Sequence, residues 1–256
     1  MTYKDMLWVA MSQSAIELNC RAEDFCAAEN KIVAPACNDG ARKYLELPFF
    51  CQLVSYGGNV VASADERIQP FVEQYIAKYD TVHCFETPSM HVLNDELQKY
   101  DHRICFMAEY YLPDPDIMKP IDCPYELRVM HPEDFAEYYL PEWSNALCEK
   151  RKLLDVLAVG AFDGEKLIGL AGCSADCDSM WQIGVDVLPA YRRNGIAAAL
   201  TSRLAFEIME RGKVPFYCAA WSNIKSARNA MKCGFKPSWV EMTAKSVELV
   251  DKMNNM

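Results

Sequence analysis

Residues 185–197 read Val185-Asp186-Val187-Leu188-Pro189-Ala190-Tyr191-Arg192-Arg193-Asn194-Gly195-Ile196-Ala197: an apolar strand, a short basic turn ending in glycine, and the start of an alanine- and leucine-rich helix. No other stretch constrains the chain as much. Glycine lets the backbone turn tightly, successive N–H groups then face into the turn, and the positive end of the following helix dipole reinforces them. The product is an anion cradle able to seat a diphosphate, flanked here by Arg192 and Arg193. Met180 to Val187 has strand character, and Pro189 closes that strand. Leu200, Leu204, Ile208 and Met209 share one face of a helix over Ala198 to Arg211. Taken alone, the turn also fits an ordinary strand-to-helix connection with solvated arginines.

A second block follows in order. Lys213 to Ala219 reads as a strand, and Trp221-Ser222-Asn223 leads into helical sequence from Ile224 to Cys233 that stops at Gly234-Phe235. Glycine is the usual residue where a helix ends in a left-handed turn. Arg192-x-x-Gly195-x-Ala197, followed by this Asn-led helix and Gly-Phe stop, resembles the GNAT superfamily of acyl-CoA-dependent N-acetyltransferases over about Tyr125 to Met242. The resemblance implies an α/β (α+β) fold with a mixed, mostly antiparallel sheet flanked by helices, and acetyl-CoA as co-substrate. It also implies a diphosphate held by Arg192, Arg193, Asn194, Gly195, Ile196 and Ala197, and a pantetheine arm along Val185 and Val187 with Asn223 and Ser226 nearby. From the residues alone Asn223 is equally a helix cap, and both roles can coexist.

Composition bounds the alternatives. Apolar residues make up 51% and charged residues 24%, as in ordinary globular proteins. No apolar run is long enough to span a bilayer, and Met1 to Cys20 lacks the unbroken apolar core of an export signal, so a cytoplasmic protein without a membrane partner is expected. The twelve cysteines are scattered, with no CxxC, and the tightest pair, Cys173 and Cys177, has no histidine nearby in sequence. Reduced thiols and no metal site are the expectation. The net charge of −10 argues against nucleic-acid binding. Residues 1–121 carry 10 basic and 18 acidic side chains, whereas residues 122–256 carry 16 and 18. The nearly neutral half is thus the one expected to hold an anionic cofactor, and the acidic exterior suits a cationic amine acceptor.

Four prolines between Leu112 and Pro124 read as a linker, giving an accessory α/β domain over 1–121 and the acetyltransferase domain over 122–256. In the second part, a strand from Tyr125 to Met130 precedes helical sequence running through Trp143 and Leu147, and Asp163-Gly164 marks a hairpin between Leu157–Phe162 and Lys166–Cys173. In the first part, helices are expected over Met6–Leu18, Ala22–Asn30, Asp65–Lys78 and Leu93–Tyr100. Strands are expected over Phe49–Tyr56, Thr81–Glu86 and Arg103–Tyr110. This alternation is open to two readings, a degenerate copy of the same fold or an unrelated module that packs on the catalytic half.

Acetyl transfer needs a polarised carbonyl, an unprotonated nucleophile and a way to stabilise the departing thiolate. The resemblance implies a tyrosine four residues before the glycine of Gly-Phe and a carboxylate eleven residues before the first arginine; the chain has Ala230 and Trp181 there. Tyr217 and Ser222 are the substitutes nominated for the acid, against core or sheet-surface packing as the alternative. Asp176, Asp178 and Asp186 are the nearby carboxylates, and water is the other candidate base. Trp143, Trp181 and Trp221 either line an acceptor cleft or pack in the core. The expected activity is transfer to a primary amine, small molecule or peptide, by direct attack in a ternary complex of a monomer or homodimer. The competing expectation is a catalytically inactive acyl-CoA-binding sensor or interaction module.

Overall fold

The structure, a computed structural model, describes residues 1–255. In chain order its helices and strands are α1 (Tyr3–Leu18), β1 (Lys31–Val33), β2 (Cys51–Ser55), β3 (Val61–Ala64), α2 (Gln69–Lys78), α3 (Thr87–Gln98), β4 (His102–Pro113), β5 (Glu126–Met130) and β6 (Asp155–Asp163). They continue with β7 (Lys166–Ser174), β8 (Met180–Val187), α4 (Ile196–Glu210), β9 (Val214–Ala219), α5 (Ile224–Lys232), β10 (Phe235–Ser246) and α6 (Val247–Asn254). This is a mixed α/β architecture with mostly antiparallel sheet flanked by helices.

Two compact units are interleaved along the sequence rather than divided at residue 121. One comprises Met1–Val9 with Tyr111–Pro237, the other Ala10–Tyr110 with the chain from Ser238 onward. The last stretch belongs with the earlier residues because β10 pairs antiparallel with β2, Val240 opposite Ser55 through Thr243 opposite Gln52. A pairing between positions so far apart in sequence leaves no local trace.

In the unit built around residues 10–110 the strand order is β1-β3-β2-β10-β4, with β1 parallel to β3. Leu53, Ala62, Ile68, Val72, Leu93, Leu97 and Met242 form its apolar core with α2 and α3. The most heavily charged buried group in this unit is Arg42, whose guanidinium donates to both oxygens of Glu17 and both oxygens of Glu241. All three side chains are nearly inaccessible. Burial alone would lower the Arg42 pKa, yet the two carboxylates hold it well above its ordinary value. Gln13, Tyr110 and Trp239 fill the remaining acceptor sites on the glutamates, so the cluster is satisfied despite its burial.

The sequence reading differs from this unit in several places, among them the unexpected strand β1 and the start of α3 at Thr87 rather than Leu93. Thr81–Glu86 is not a strand but a single tight turn at His83–Phe85, because Asp80 accepts from the His83 N–H at 2.8 Å and draws the backbone into a local bond. Of the helix expected over Ala22–Asn30, only one turn at Ala22–Cys26 forms, with the Asp24 carboxylate turned back on the Arg21 N–H. Val61–Ala64, which leads into α2, is itself a strand.

The other unit orders its strands β9-β8-β7-β6-β5, antiparallel except for β8 with β9. One sheet face carries Val159, Ala171, Ile183 and Val187 against Ile196, Leu200, Leu204 and Ile208 of α4. The opposite face carries Ala158 and Leu170 against Phe135, Trp143, Ala146 and Leu147. The segment supplying those residues was expected to be helical, but it forms only short turns at Ala136–Tyr138, Pro141–Trp143 and Glu149–Leu154. Pro141 and the bonds capping each turn break its periodicity.

The proline-rich stretch after β4 is held down rather than free. Asp114 donates its N–H to the Gly234 carbonyl at 2.9 Å and its carboxylate pairs with Lys236, while Ser202 Oγ donates to the Lys119 carbonyl. Gly234 has φ +84°, and a Cβ there would lie 2.9 Å from the Met118 Cα. Gly234→Ala is therefore expected to destabilise the fold by at least about 1–2 kcal/mol, the cost of a left-handed alanine, with the Met118 contact adding to it. Denaturant unfolding of the two proteins measures the difference, and equal midpoints would contradict it.

Candidate functional site

The site is laid out by the partial pairing of β8 and β9. Their register runs from Met180 opposite Val214 to Ile183 opposite Tyr217 and ends there, although β8 continues to Val187 and β9 to Ala219. Beyond that point the two strands part. Strand alternation decides which backbone groups face the opening. Leu188 donates its N–H to Ile168 on the β7 side, so the amides of Val187 and Val185 turn to the other edge, toward β9. These are the two strand residues singled out from the sequence. Gln182 and Cys218 span the parting, Nε2 donating to Sγ at 3.1 Å.

At the end of β8 the chain turns through Pro189–Tyr191 into the glycine loop. Arg193 takes φ +69° and Gly195 φ +79°, two left-handed residues flanking Asn194 just before α4. Nothing lies within 4 Å of where a Gly195 Cβ would be, so the backbone there is open to an approaching group. Among the described residues no side chain caps α4, and the first of its amides to find a backbone acceptor is that of Ala199, on Gly195 at 3.1 Å. The amides from Arg193 to Ala198 are thus uncommitted at the positive end of a 15-residue helix. Arg192 Nε donates to the Val187 carbonyl at 2.9 Å, which ties the loop to the strand end and leaves its remaining N–H groups facing outward. Arg192, Arg193 and Asn194 are exposed; Ile196 is buried against the sheet.

Across the opening, Asn223 caps α5 by accepting from the Ser226 N–H at 3.2 Å, so the capping role read from the sequence is present. Ser226 Oγ lies 2.9 Å from the Tyr217 hydroxyl. Burial raises the Tyr217 pKa, with the hydrogen bonds to Ser226 and Asn229 opposing it, so the phenol is protonated at neutral pH. Ala230 is fully buried. Ser222 and Trp221 are exposed beyond the end of β9. Trp181 packs on the α4 face, and Trp143 is only 3% exposed within the core of the opposite face.

That opposite face holds features the sequence did not reveal. The Asp186 carboxylate accepts three hydrogen bonds from one turn: Asn145 N–H at 2.8 Å, Asn145 Nδ2 at 2.7 Å and Ala146 N–H at 3.0 Å. Gly172 and Gly184, opposite each other in the β7–β8 register, are the positions on which this turn rests. Asp186 therefore serves as an acceptor for main chain and is not an uncommitted base. Further along the same face, Asp155 accepts from the Cys148 N–H and Asp176 from Ser174 Oγ, with Arg151 3.5 Å from Asp176. Among the described residues no group of three or more His, Cys, Asp or Glu side chains is arranged to hold a metal ion, all twelve cysteines are free, and no helix is long and apolar enough to cross a membrane.

The family model for GNAT acetyltransferases matches residues 59–240, and the chain belongs to that family. The match begins well before the 125–242 stretch that carries the resemblance in sequence. No curated protein matches the sequence. Among solved structures, a GCN5-related N-acetyltransferase from Kribbella flavida aligns at 14% identity and TM-score 0.49, covering 80% of this chain and 90% of that one. A GCN5-related N-acetyltransferase-like protein from Streptococcus suis aligns at 19% and 0.45, covering 62% and 68%. Aminoglycoside N-acetyltransferase AAC(6')-Iy, solved in complex with CoA, aligns at 17% and 0.37, covering 47% and 93%. A GNAT-family structure from Novosphingobium aromaticivorans is spanned over 66% of its length.

The acidic corner of the site gives a pH-dependent prediction. Burial pushes the Asp155 carboxyl from 3.8 up to about 6, over the opposing bonds from Cys148 and Tyr139 and the charge of Arg151. The folded protein then keeps a proton that the unfolded chain releases, so this group's contribution is fully present below pH 4 and is lost as pH rises through 6. Asp155→Asn is expected to gain stability relative to the unmodified protein by about 2–3 kcal/mol between pH 4 and pH 7. Urea melts across that range measure it, and a constant offset would contradict the assignment.

Proposed function

We propose that the chain transfers an acetyl group from acetyl-CoA to a primary amine by direct attack in a ternary complex. The observation that carries this reading is the row of uncommitted amides from Arg193 to Ala198, placed beside the open edge of β8. Those amides and the outward guanidinium groups of Arg192 and Arg193 would hold the diphosphate of the coenzyme. The outward edge at Val185 and Val187 would hold the pantetheine arm, with Asn223 and Ser226 along the far side. An N–H on that edge is a fixed dipole where negative charge develops on the thioester oxygen, and it needs no reorganisation when the charge appears.

Tyr217 would stabilise the departing thiolate as a hydrogen-bond donor. Its raised pKa makes full proton transfer to a thiolate unfavourable, since an ordinary thiol titrates near 8.5 and a tyrosine near 10. Ser222 is the second candidate for that role, at the mouth of the opening. The proton lost by the amine goes to water, because Asp186 is committed to the Asn145 turn and the carboxylate position of the family holds Trp181. Trp221, exposed at the mouth, would meet an acceptor, whereas Trp181 packs on the α4 face and Trp143 lies in the core of the opposite face, where they would act only through packing. Acceptor alignment in such a site supplies more of the rate than any single acid or base.

One observation favours a second reading, an acyl-CoA-binding sensor without turnover: buried Ala230 seals the position of the family's acid. The two readings separate in one assay. Acetyl-CoA is incubated with spermidine, tyramine, glucosamine and a peptide with a free N-terminus while free thiol is measured. The transferase reading expects amine-dependent release and a Tyr217→Phe variant slower by about ten- to a hundredfold, the worth of a hydrogen bond to a charged group. The sensor reading expects CoA binding in calorimetry with no release. Gly195→Val is expected to abolish CoA binding with the fold retained, and Arg192→Ala to weaken it more at low salt than at high. Unchanged CoA affinity in both variants would contradict either reading.

A further inference from the structure

The turn at Asn145–Ala146 lies directly on the sheet. Were Gly184 to carry a Cβ, it would sit 1.8 Å from the Asn145 carbonyl oxygen, and a Cβ on Gly172 would sit 2.1 Å from the Ala146 carbonyl oxygen. Only paired glycines admit main chain this close to a strand. Gly184 is also the first residue of β8 beyond its last pairing with β9, so the Asn145 oxygen stands at the point where the strands part. The opening is therefore bordered by Val185 N–H on the edge and Asn145 C=O on the face opposite α4.

The hydrogen-bonding of this turn is one-sided. Asp186 takes its donors, both backbone N–H groups and the Asn145 side-chain amide. Among the described residues no N–H or O–H donates to the Asn145 carbonyl, whose oxygen lies over Gly184, and Asn145 is exposed. A carbonyl has two lone pairs with which to accept. An acceptor-only group on an exposed residue, without a donor of its own and fixed to a rigid strand, suits a ligand that brings N–H donors and gains positive charge.

We propose that Asp186 is a positioning residue for the acceptor: by holding the Asn145–Ala146 turn on β8, it sets the Asn145 carbonyl over Gly184 to accept a hydrogen bond from the N–H of the attacking amine. This rests on the transferase reading above and assigns the amine side of that site. The arrangement orients the nitrogen lone pair toward a carbonyl held at the β8 edge. As the N–C bond forms and the C–S bond breaks, the electron pair leaves with sulfur, and the positive charge growing on nitrogen is met by the carbonyl dipole until water takes the proton. A main-chain oxygen thus does what a strand carboxylate would do for orientation, in a chain that carries Trp181 at the carboxylate position. The acceptor class is an amine that retains an N–H while its lone pair attacks, primary or secondary.

The test compares Asp186→Ala, Asp186→Asn and Gly184→Ala with the unmodified protein, using whichever of the four amines above turns over fastest. KM and kcat are measured for amine and for acetyl-CoA, with CoA affinity by calorimetry and the melting temperature alongside. The expected result is an amine KM raised at least about tenfold in Asp186→Ala and Gly184→Ala, with acetyl-CoA KM and CoA affinity within about twofold, and Asp186→Asn in between because it keeps one acceptor oxygen. A general structural role would move both substrates together. Unmoved amine KM in the folded variants, or acetyl-CoA KM rising in step, overturns the proposal while leaving the transferase reading in place. Asp186→Asn, isosteric with the native residue, decides the matter if either alanine variant does not fold. Absence of amine-dependent thiol release by the unmodified protein removes the transferase reading and this inference with it.

Discussion

Strands β8 and β9 pair over four positions and then separate, and the rest of the candidate site is arranged around that separation. A parallel pair that stayed zipped would consume the edge groups of Val185 and Val187 in ladder hydrogen bonds. Released from the ladder, they form a polar edge inside an otherwise apolar sheet, which is unfavourable without a partner and useful for a ligand that can pair with it. The loop that follows extends the same principle. Arg193 and Gly195 both adopt positive φ, so the chain turns without spending its amides on itself, and the Ala199–Gly195 bond opens α4 only after those amides have passed.

The two faces of the sheet in this unit carry different work because side chains alternate along β8. Ile183 and Val187 bury themselves against α4 and fix the helix whose N-terminus carries the uncommitted amides. Gly184 and Asp186, one step out of phase, face the turn at Asn145 instead, one by having no side chain and the other by gathering that turn's donors. A strand reading apolar, glycine, apolar, aspartate, apolar is thus not merely half-buried. It packs α4 on one face of the sheet and the Asn145 turn on the other.

How much of this the sequence discloses depends on how local each constraint is. The glycine loop, the Asp163-Gly164 hairpin and the Asn-led α5 were legible because a positive φ, a two-residue turn and a helix cap each demand particular residues at fixed offsets. The glycine loop and the Asn-led helix carried the resemblance to the GNAT acetyltransferases, and the family model over residues 59–240 bears it out. The segment from Phe135 to Leu154 was not legible. Its apolar residues answer to the sheet beneath them rather than to a helical period, and it settles into short turns. The same holds for the Asp186 clamp, whose partners are about forty residues away, and for Arg42 between Glu17 and Glu241, where charges that look solvated in sequence are among the most buried in the protein. Tyr217 was nominated for its strand position, but its pairing with Ser226 on α5 needed the fold to be seen.

The central claim is that backbone amides at the Gly195 turn grip a diphosphate and thereby place a thioester at the parted strands. A crystal structure of the protein with coenzyme A tests it most directly. The account predicts diphosphate oxygens about 3 Å from amide nitrogens between Arg193 and Ala198, with the thiol lying between β8 and β9 near Gly184. Coenzyme seated elsewhere, with those amides still facing solvent, would contradict it.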